Sequence, residues 1–118
     1  MQISKQRVNS TLEKQLYQML FQLVADLKTP QEVEGVLKDI LSDTELTTVA
    51  KRLAVAYWLT KGRSYSNIKD NLKVSSASIS DIQQGIKKPG WKLALQKVTA
   101  DEWATLWEQR IKSMIGKK

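Results

Sequence analysis

Residues 64–85 constrain the fold of this chain more than any other segment, because their apolar residues recur at helical spacing on both sides of a short polar interval. Ile68 and Leu72 are four residues apart and therefore share one face of a first short helix. A second helix is indicated by three isoleucines spaced three and four residues apart, namely Ile79, Ile82 and Ile86. We expect Val74 to fill the corner between the helices and Ala77 to let them approach closely. The pattern is typical of a helix-turn-helix.

Positive charge is concentrated in and around this segment. Residues 1–60 carry seven Lys or Arg and seven Asp or Glu, whereas residues 61–97 carry eight Lys or Arg and only two Asp. Residues 98–118 add four basic and three acidic side chains, which gives the chain a formal net charge of +7. A basic surface of this kind suits a polyanion such as nucleic acid, although it can also serve only to keep a protein soluble.

The composition excludes several classes of protein. The chain has 118 residues, no cysteine and no histidine, so it has the length of one domain and lacks the commonest metal ligand and general base. We therefore expect residues 1–118 to form a single helical domain with no enzymatic activity, no metal and no cofactor. No apolar run approaches the roughly 20 residues that span a bilayer, and the N-terminus shows no signal peptide. We predict a cytoplasmic protein with no membrane partner.

Helices are expected throughout, because the chain has only two prolines and five glycines and no alternating apolar pattern. One apolar stripe at helical spacing consists of Leu12, Leu16, Met19, Leu20, Leu23, Val24 and Leu27. Tyr17 and Phe21 widen this stripe. The helix that carries it therefore has more apolar surface than the core of one monomer needs.

Three helix starts share one capping pattern, in which Thr or Ser is followed three residues later by Glu. The pattern begins at Thr29, Ser42 and Thr99. It predicts three helices, over residues 30–41, 43–61 and 100–114. We expect Gly62 to end the second of these in a left-handed conformation, and residues 87–91 to form a loop.

The outer face of the second short helix is predicted to be polar and to consist of Ser75, Ser76, Ser78, Ser80, Asp81, Gln83 and Gln84. Its flanks carry Lys69, Lys73, Lys87 and Lys88. Small hydroxyl and amide groups can hydrogen-bond phosphates or base edges in the major groove, glutamine can read adenine, and lysine can contact phosphate. We therefore predict that the helix at about 76–86 reads DNA, and that all of these residues except Asp81 take part. The alternative is two ordinary amphipathic helices with a polar outer face.

Asp81 opposes the DNA-binding interpretation, because a carboxylate near phosphates is repelled. It could accept a hydrogen bond from cytosine N4. It could equally be solvated or paired with a nearby lysine.

Residues 41–85 resemble the Trp repressor superfamily, most closely the YerC/YecD family. The matching motifs include Asp43-Thr44-Glu45, Lys51-Arg52, Leu59-x-x-Gly62, Ser64-Tyr65-x-x-Ile68 and Ser75-x-Ala77-Ser78-Ile79-Ser80. The resemblance implies an all-α, intertwined homodimer that binds double-stranded DNA as a transcriptional regulator, most often a repressor. It divides the chain into core and dimerisation helices (1–62), the helix-turn-helix (64–86) and a C-terminal extension of one or two helices (87–118). The alternative function is a protein-interaction module that no longer reads DNA.

The resemblance also suggests where an effector would bind. Arg52 matches one of the two arginines that hold the corepressor in tryptophan-binding members, and Gln84 stands at the position assigned to the other. An amide cannot neutralise a carboxylate, so tryptophan is not the expected effector. Arg52 could instead form an ion pair at the dimer interface. We expect Trp103 and Trp107 to pack in the core or at the dimer interface, and Trp91 either to wedge between helices or to lie beside DNA.

Overall fold

A computed structural model describes residues 1–100 and 102–116, with side-chain environments for all of these except residues 102–105 and 116. The described residues form seven α-helices and no strand, which confirms the all-α prediction. The helices are α1 (Ser10–Asp26), α2 (Pro30–Ile40), α3 (Asp43–Thr60), α4 (Tyr65–Leu72), α5 (Ser76–Gly85), α6 (Pro89–Ala100) and α7 (Glu102–Gly116). None of these helices is both long and apolar enough to cross a membrane.

The chain divides by its internal contacts into two units, Met1–Leu46 and Thr47–Lys118. The first unit contains α1, α2 and the start of α3. Asn9 begins α1, because its side-chain oxygen accepts a hydrogen bond from the Leu12 N–H at 2.8 Å. No residue of α1 is buried, and Phe21 is 64% exposed. The apolar stripe predicted for this helix is therefore present, and its side chains within α1 are exposed.

Two of the three predicted helix caps are confirmed. Thr29 Oγ1 accepts from the Glu32 N–H at 3.1 Å. Ser42 forms a complete capping box, because its hydroxyl accepts from the Glu45 N–H at 3.1 Å while the Glu45 carboxylate accepts from the Ser42 N–H at 2.8 Å. Hydrogen bonding to the Glu45 carboxylate, first from the Ser42 backbone and then from the Ser42 side chain, lowers the pKa of Glu45.

The core of the second unit surrounds the C-terminal half of α3. Its buried members are Val55, Ala56, Tyr57, Trp58, Ile68, Ile79, Ile82 and Leu95. Gly62 ends this region in the left-handed conformation predicted, with φ of 76°. Beyond it, the Arg63 guanidinium stacks over the Trp58 ring, 4.4 Å from its centroid. Helices α4 to α7 all contribute side chains to this core or pack against it.

The C-terminal extension differs from the sequence prediction. Residues 87–91 are not a loop throughout, because α6 begins at Pro89, and proline suits the first position of a helix. The cap predicted at Thr99 is wrong, since Thr99 lies inside α6. Two other residues of that capping pattern, Asp101 and the side chain of Glu102, fall outside what the structure describes. The predicted packing of Trp103 also falls outside it.

Helix α7 packs against the core through aromatic and apolar side chains. The Trp107 ring lies 6.0 Å from that of Tyr57 and 6.2 Å from that of Trp58, centroid to centroid. Ile111 and Ile115 pack against the same core. The predicted packing role of Trp107 is confirmed, and Trp91 also packs against the core as a half-buried side chain.

Candidate nucleic-acid interface

Helices α4 and α5 form the predicted helix-turn-helix. The Ser64 hydroxyl caps α4 by accepting from the Asn67 N–H at 3.1 Å. Ile68 and Ile79 are completely buried between the helices and the core, and Ile82 is nearly so. Leu72, Val74 and Ile86 are half-buried against them, as the apolar spacing predicts. This packing fixes the second helix so that its opposite face is open to solvent.

The turn between the helices depends on Lys73, which has a left-handed backbone with φ of 56°. Its N–H closes α4 by donating to the Lys69 carbonyl at 3.0 Å. Its carbonyl accepts a hydrogen bond from Lys51 Nζ of α3 at 3.3 Å. Sequence reasoning missed the role of Lys51, because no local pattern links it to a turn 22 residues away.

The start of α5 is held by a pair of serines. The Ser75 hydroxyl accepts from the Ser78 N–H at 3.1 Å and donates to the Ser78 hydroxyl at 2.9 Å. Ser75 is therefore the N-cap of α5. Both residues are exposed, but their hydroxyls are already engaged with each other, whereas the hydroxyls of Ser76 and Ser80 hydrogen-bond no other described residue.

The residues predicted to bind DNA lie together on α4, the turn, α5 and the link that follows it. Nine of the ten are exposed and Ser80 is half-buried; the exposed ones are Lys69, Lys73, Ser75, Ser76, Ser78, Gln83, Gln84, Lys87 and Lys88. None of the four lysines forms an ion pair with an acidic residue whose side chain the structure describes. Their charges are thus available to an external anion.

Asp81 and Ala77 also lie on the solvent side of α5. Asp81 forms no ion pair with the described basic residues, so its carboxylate is solvated. The exposure of Ala77 contradicts the prediction that its small size serves a close approach between helices. A methyl group at this position can instead meet the methyl group of thymine.

The two glutamines differ in their surroundings. The Tyr65 hydroxyl donates a hydrogen bond to Gln83 Oε1, which joins the first residue of α4 to the third turn of α5. Gln84 is exposed, and its side chain makes no hydrogen bond to any other described residue. The motif Ser64-Tyr65-x-x-Ile68 includes Tyr65 but does not reveal this contact, because Tyr65 and Gln83 are 18 positions apart.

Arg52 lines a groove of about 300 Å³ between α3, the turn and α5. The residues that surround it are Thr48, Lys51, Arg52, Val55, Lys73, Val74, Ser75, Ser78 and Ile82. Gln84 is not among them, so the position assigned to a second ligand-holding residue does not face Arg52. The basic neighbours of Arg52 in this groove are Lys51 and Lys73. Across the described part of the chain, no group of acidic residues is arranged to hold a metal ion.

Comparison with known proteins identifies the scaffold that carries this interface. The family model described as Trp repressor protein matches residues 15–99, which is more than half of the chain. The chain belongs to the Trp repressor family. This family membership indicates a DNA-binding regulator rather than an enzyme.

A solved structure supports the same assignment to the Trp repressor family. The crystal structure of a TrpR like protein from Eubacterium eligens ATCC 27750 superposes with a TM-score of 0.70 at 25% sequence identity. The match covers 80% of this chain and 99% of that chain. No curated protein sequence matches this chain. The Trp repressor match ends within α6, so α7 lies beyond it.

Proposed function

We propose that this Trp repressor family chain is a sequence-specific regulator of transcription, a repressor of the YerC/YecD type that acts in the cytoplasm as a homodimer. Helix α5 of each protomer would enter a major groove of double-stranded DNA. One observation carries the proposal: apart from Asp81, the polar side chains that α5 exposes on its solvent side are uncharged, and four lysines with no described ion-pair partner flank that side.

The charges predict how binding depends on salt. Each lysine that contacts a phosphate releases condensed counterions, and log K falls with log salt concentration by about 0.9 for each contact. Four contacts in each of two protomers would give a slope of about −7. We expect binding to be tight at low salt and to weaken steeply as salt is raised.

Two exposed apolar surfaces support a homodimer. Helix α1 has no buried residue. In the second unit, α3, α6 and α7 leave open an apolar depression of about 280 Å³ that is lined by Ala50, Leu53, Ala54, Tyr57, Val98 and Trp107. Soluble monomers seldom leave surfaces of this kind exposed. A dimer would place two copies of α5 at half-sites about 34–36 Å apart, or a multiple of that spacing.

The decisive experiment compares two variants with equal loss of charge. One replaces Lys69, Lys73, Lys87 and Lys88 by alanine, and the other replaces four lysines of the N-terminal part, Lys5, Lys14, Lys28 and Lys38. Fluorescence anisotropy with a random-sequence duplex at low salt should show binding by the wild type and the second variant, and weak or no binding by the first. Equal weakening in both variants would mean that net charge alone drives association.

The exposed, unpaired Asp81 on α5 favours a second candidate, a helical module that binds another protein instead of DNA. In that case the wild-type protein would fail to bind the random-sequence duplex even at low salt. The variant at Lys69, Lys73, Lys87 and Lys88 would then still capture the protein partner.

A further inference from the structure

We propose that the apolar depression of the second unit is the docking site for α1 of a second copy of this chain, and that Trp107 of α7 forms one of its walls. The inference rests on the homodimer proposed above and goes beyond it, because it pairs the two exposed apolar surfaces with each other. It also gives a role in assembly to α7, which lies beyond the residues that the Trp repressor family model matches.

The depression suits an apolar or aromatic occupant. It lies between α3, α6 and α7, has a volume of about 280 Å³, and is lined only by apolar and aromatic residues. The hydroxyl of Tyr57, which belongs to this lining, is engaged in a hydrogen bond to the Glu108 carboxylate at 3.0 Å. No lining residue is charged, so the depression offers nothing to a DNA phosphate.

Helix α1 carries side chains that match this site. The rings of Tyr17 and Phe21 are stacked, with centroids 6.1 Å apart and planes inclined by 14°. Both rings are more than half exposed. They are four residues apart and therefore project from the same side of the helix. A depression walled by Tyr57 and Trp107 can receive such rings in the offset or edge-to-face contacts that aromatic pairs prefer.

The distribution of charge favours α1 of a second copy as the occupant. Residues 1–46, the unit that contains α1, carry five Lys or Arg and seven Asp or Glu, a formal net charge of −2. Residues 47–118, the unit that contains the depression, carry fourteen Lys or Arg and five Asp or Glu, a net charge of +9. Two copies of the basic unit repel each other, whereas the acidic unit of one copy attracts the basic unit of the other.

The surface beside the depression extends the docking site. A stable interface buries about 800 Å² on each partner, which is more than one small depression supplies. Val49 and Leu106, the sequence neighbours of two lining residues, are 57% and 54% exposed. Helix α1 has 17 residues and is therefore about 25 Å long, so it can cover both the depression and this margin. In a two-fold symmetric dimer the same contact forms twice.

Cross-linking identifies the occupant directly. The photoreactive analogue p-benzoylphenylalanine would replace Phe21 in the full chain, and unlabelled protein would be mixed with ¹⁵N-labelled protein before irradiation. We expect linked peptides that join residue 21 of one isotopic form to residues 50–57 or to Trp107 of the other. Links only within one isotopic form would mean that the chain's own α1 occupies the site. Links only between two α1 helices would mean that α1 pairs with itself, and either result would overturn the proposal.

A charge placed in the depression should prevent docking. Ala50 lies in the lining and is itself exposed, so Ala50→Glu should fold, as circular dichroism would verify. We expect its dimer dissociation constant, measured by analytical ultracentrifugation, to rise at least about 30-fold, the loss that marks a central interface residue. Gln96→Glu adds the same charge at an exposed position of α6 outside the depression and should dimerise like the wild type. Equal dissociation constants for both variants would contradict the proposal.

The part played by α7 is tested by two substitutions in that helix. Trp107→Leu removes a wall of the depression, whereas Ile111→Ala removes a core contact without touching the depression. We expect Trp107→Leu to weaken dimerisation by about 2- to 10-fold, the range for one aromatic contact, and Ile111→Ala to leave it unchanged. Equal weakening by both would mean that α7 acts only through the stability of the protomer, which would overturn its role in docking.

These outcomes separate this inference from the homodimer itself. A wild-type protein that is monomeric at all concentrations would overturn both. A wild-type dimer that survives Ala50→Glu and Trp107→Leu unchanged would overturn the docking site alone. DNA binding by α5 is measured independently of both, by the anisotropy experiment above.

Discussion

At the scale of single residues, Lys73 has two roles, one in the backbone turn and one in the proposed DNA contact, that favour different residue types. Its backbone must be left-handed to end α4, which costs a residue with a side chain about 1–2 kcal/mol, and its ammonium group is one of the four predicted phosphate contacts. Apolar spacing predicted the buried residues on either side of this turn. It could not predict the left-handed position, because Lys is not a residue that favours that conformation.

Replacing Lys73 by glycine should separate the effect of the left-handed backbone on stability from the effect of the charge on DNA binding. We expect Lys73→Gly to be more stable to urea by about 0.5–1 kcal/mol, since relief of the left-handed strain is partly offset by the greater freedom of glycine in the unfolded chain. The same variant should bind DNA more weakly, with a salt slope smaller by about one for each lost contact. Lys69→Ala is the matched control: it should lose the same charge and weaken binding without the gain in stability.

Glu108 is a second residue whose contribution to the stability of the fold can be measured. The Tyr57 hydroxyl donates to its carboxylate at 3.0 Å, and Lys61 Nζ lies 3.4 Å away. Burial alone would raise the pKa of Glu108, but the Tyr57 hydrogen bond and the Lys61 charge outweigh it and lower the pKa below the usual 4.5. Burial, followed by the Glu108 contact, raises the pKa of Tyr57, which keeps its hydroxyl protonated as the donor.

A lowered carboxyl pKa stabilises the folded state above the ordinary pKa of 4.5 and ceases to do so as pH falls through the folded value. We therefore expect Glu108→Gln to unfold more easily than the wild type at pH 7, by about 1–2 kcal/mol, and the difference to shrink as pH falls below 4.5. Urea unfolding at pH 7 and pH 3.5 would measure this. Asp39→Asn, which removes an exposed carboxylate of α2 that forms no ion pair with a described residue, is the control. A constant difference for Glu108→Gln at both pH values would contradict the account.

At the scale of helices, the same capping pattern succeeds at Thr29 and fails at Thr99. Helix α1 ends at Asp26, before Thr29, and Pro30 follows Thr29 at the first position of α2. Thr99 follows Leu95 and Val98, which pack against the core and extend α6 through it. Tertiary packing therefore overrides a local signal, and sequence reasoning fails where the extension meets the core.

Helix α7 should contribute to the stability of the second unit although it lies beyond the match to the Trp repressor family model. We expect Trp107→Ala to lower the free energy of unfolding by about 2–4 kcal/mol. This is less than the loss expected for a fully buried tryptophan, because Trp107 is half-buried. Leu106→Ala, one residue away and 54% exposed, should cost much less. Urea midpoints would show whether α7 packs as described, and equal effects from the two substitutions would argue against it.

At the scale of the whole molecule, the exposed stripe on α1 should govern assembly. If a second copy of the chain covers this stripe, a charge placed in the stripe loses its hydration on dimerisation. We therefore expect light scattering to show that Phe21→Glu is a monomer. Its melting temperature should then no longer rise with protein concentration. Gln18→Glu adds the same charge to the same helix outside the predicted stripe and should remain dimeric. A wild-type protein that is monomeric at all concentrations would contradict this prediction.

The cluster formed by Arg63, Trp58 and Trp107 makes the fluorescence of the protein sensitive to its conformation. Trp58 is buried, with the Arg63 guanidinium over its ring and Trp107 beside it. Arg63 leads into the helix-turn-helix, and Trp107 belongs to α7. Any event that shifts either segment against α3 must change the surroundings of the indole rings. Intrinsic tryptophan emission can therefore follow DNA capture or loss of α7 in the unlabelled protein.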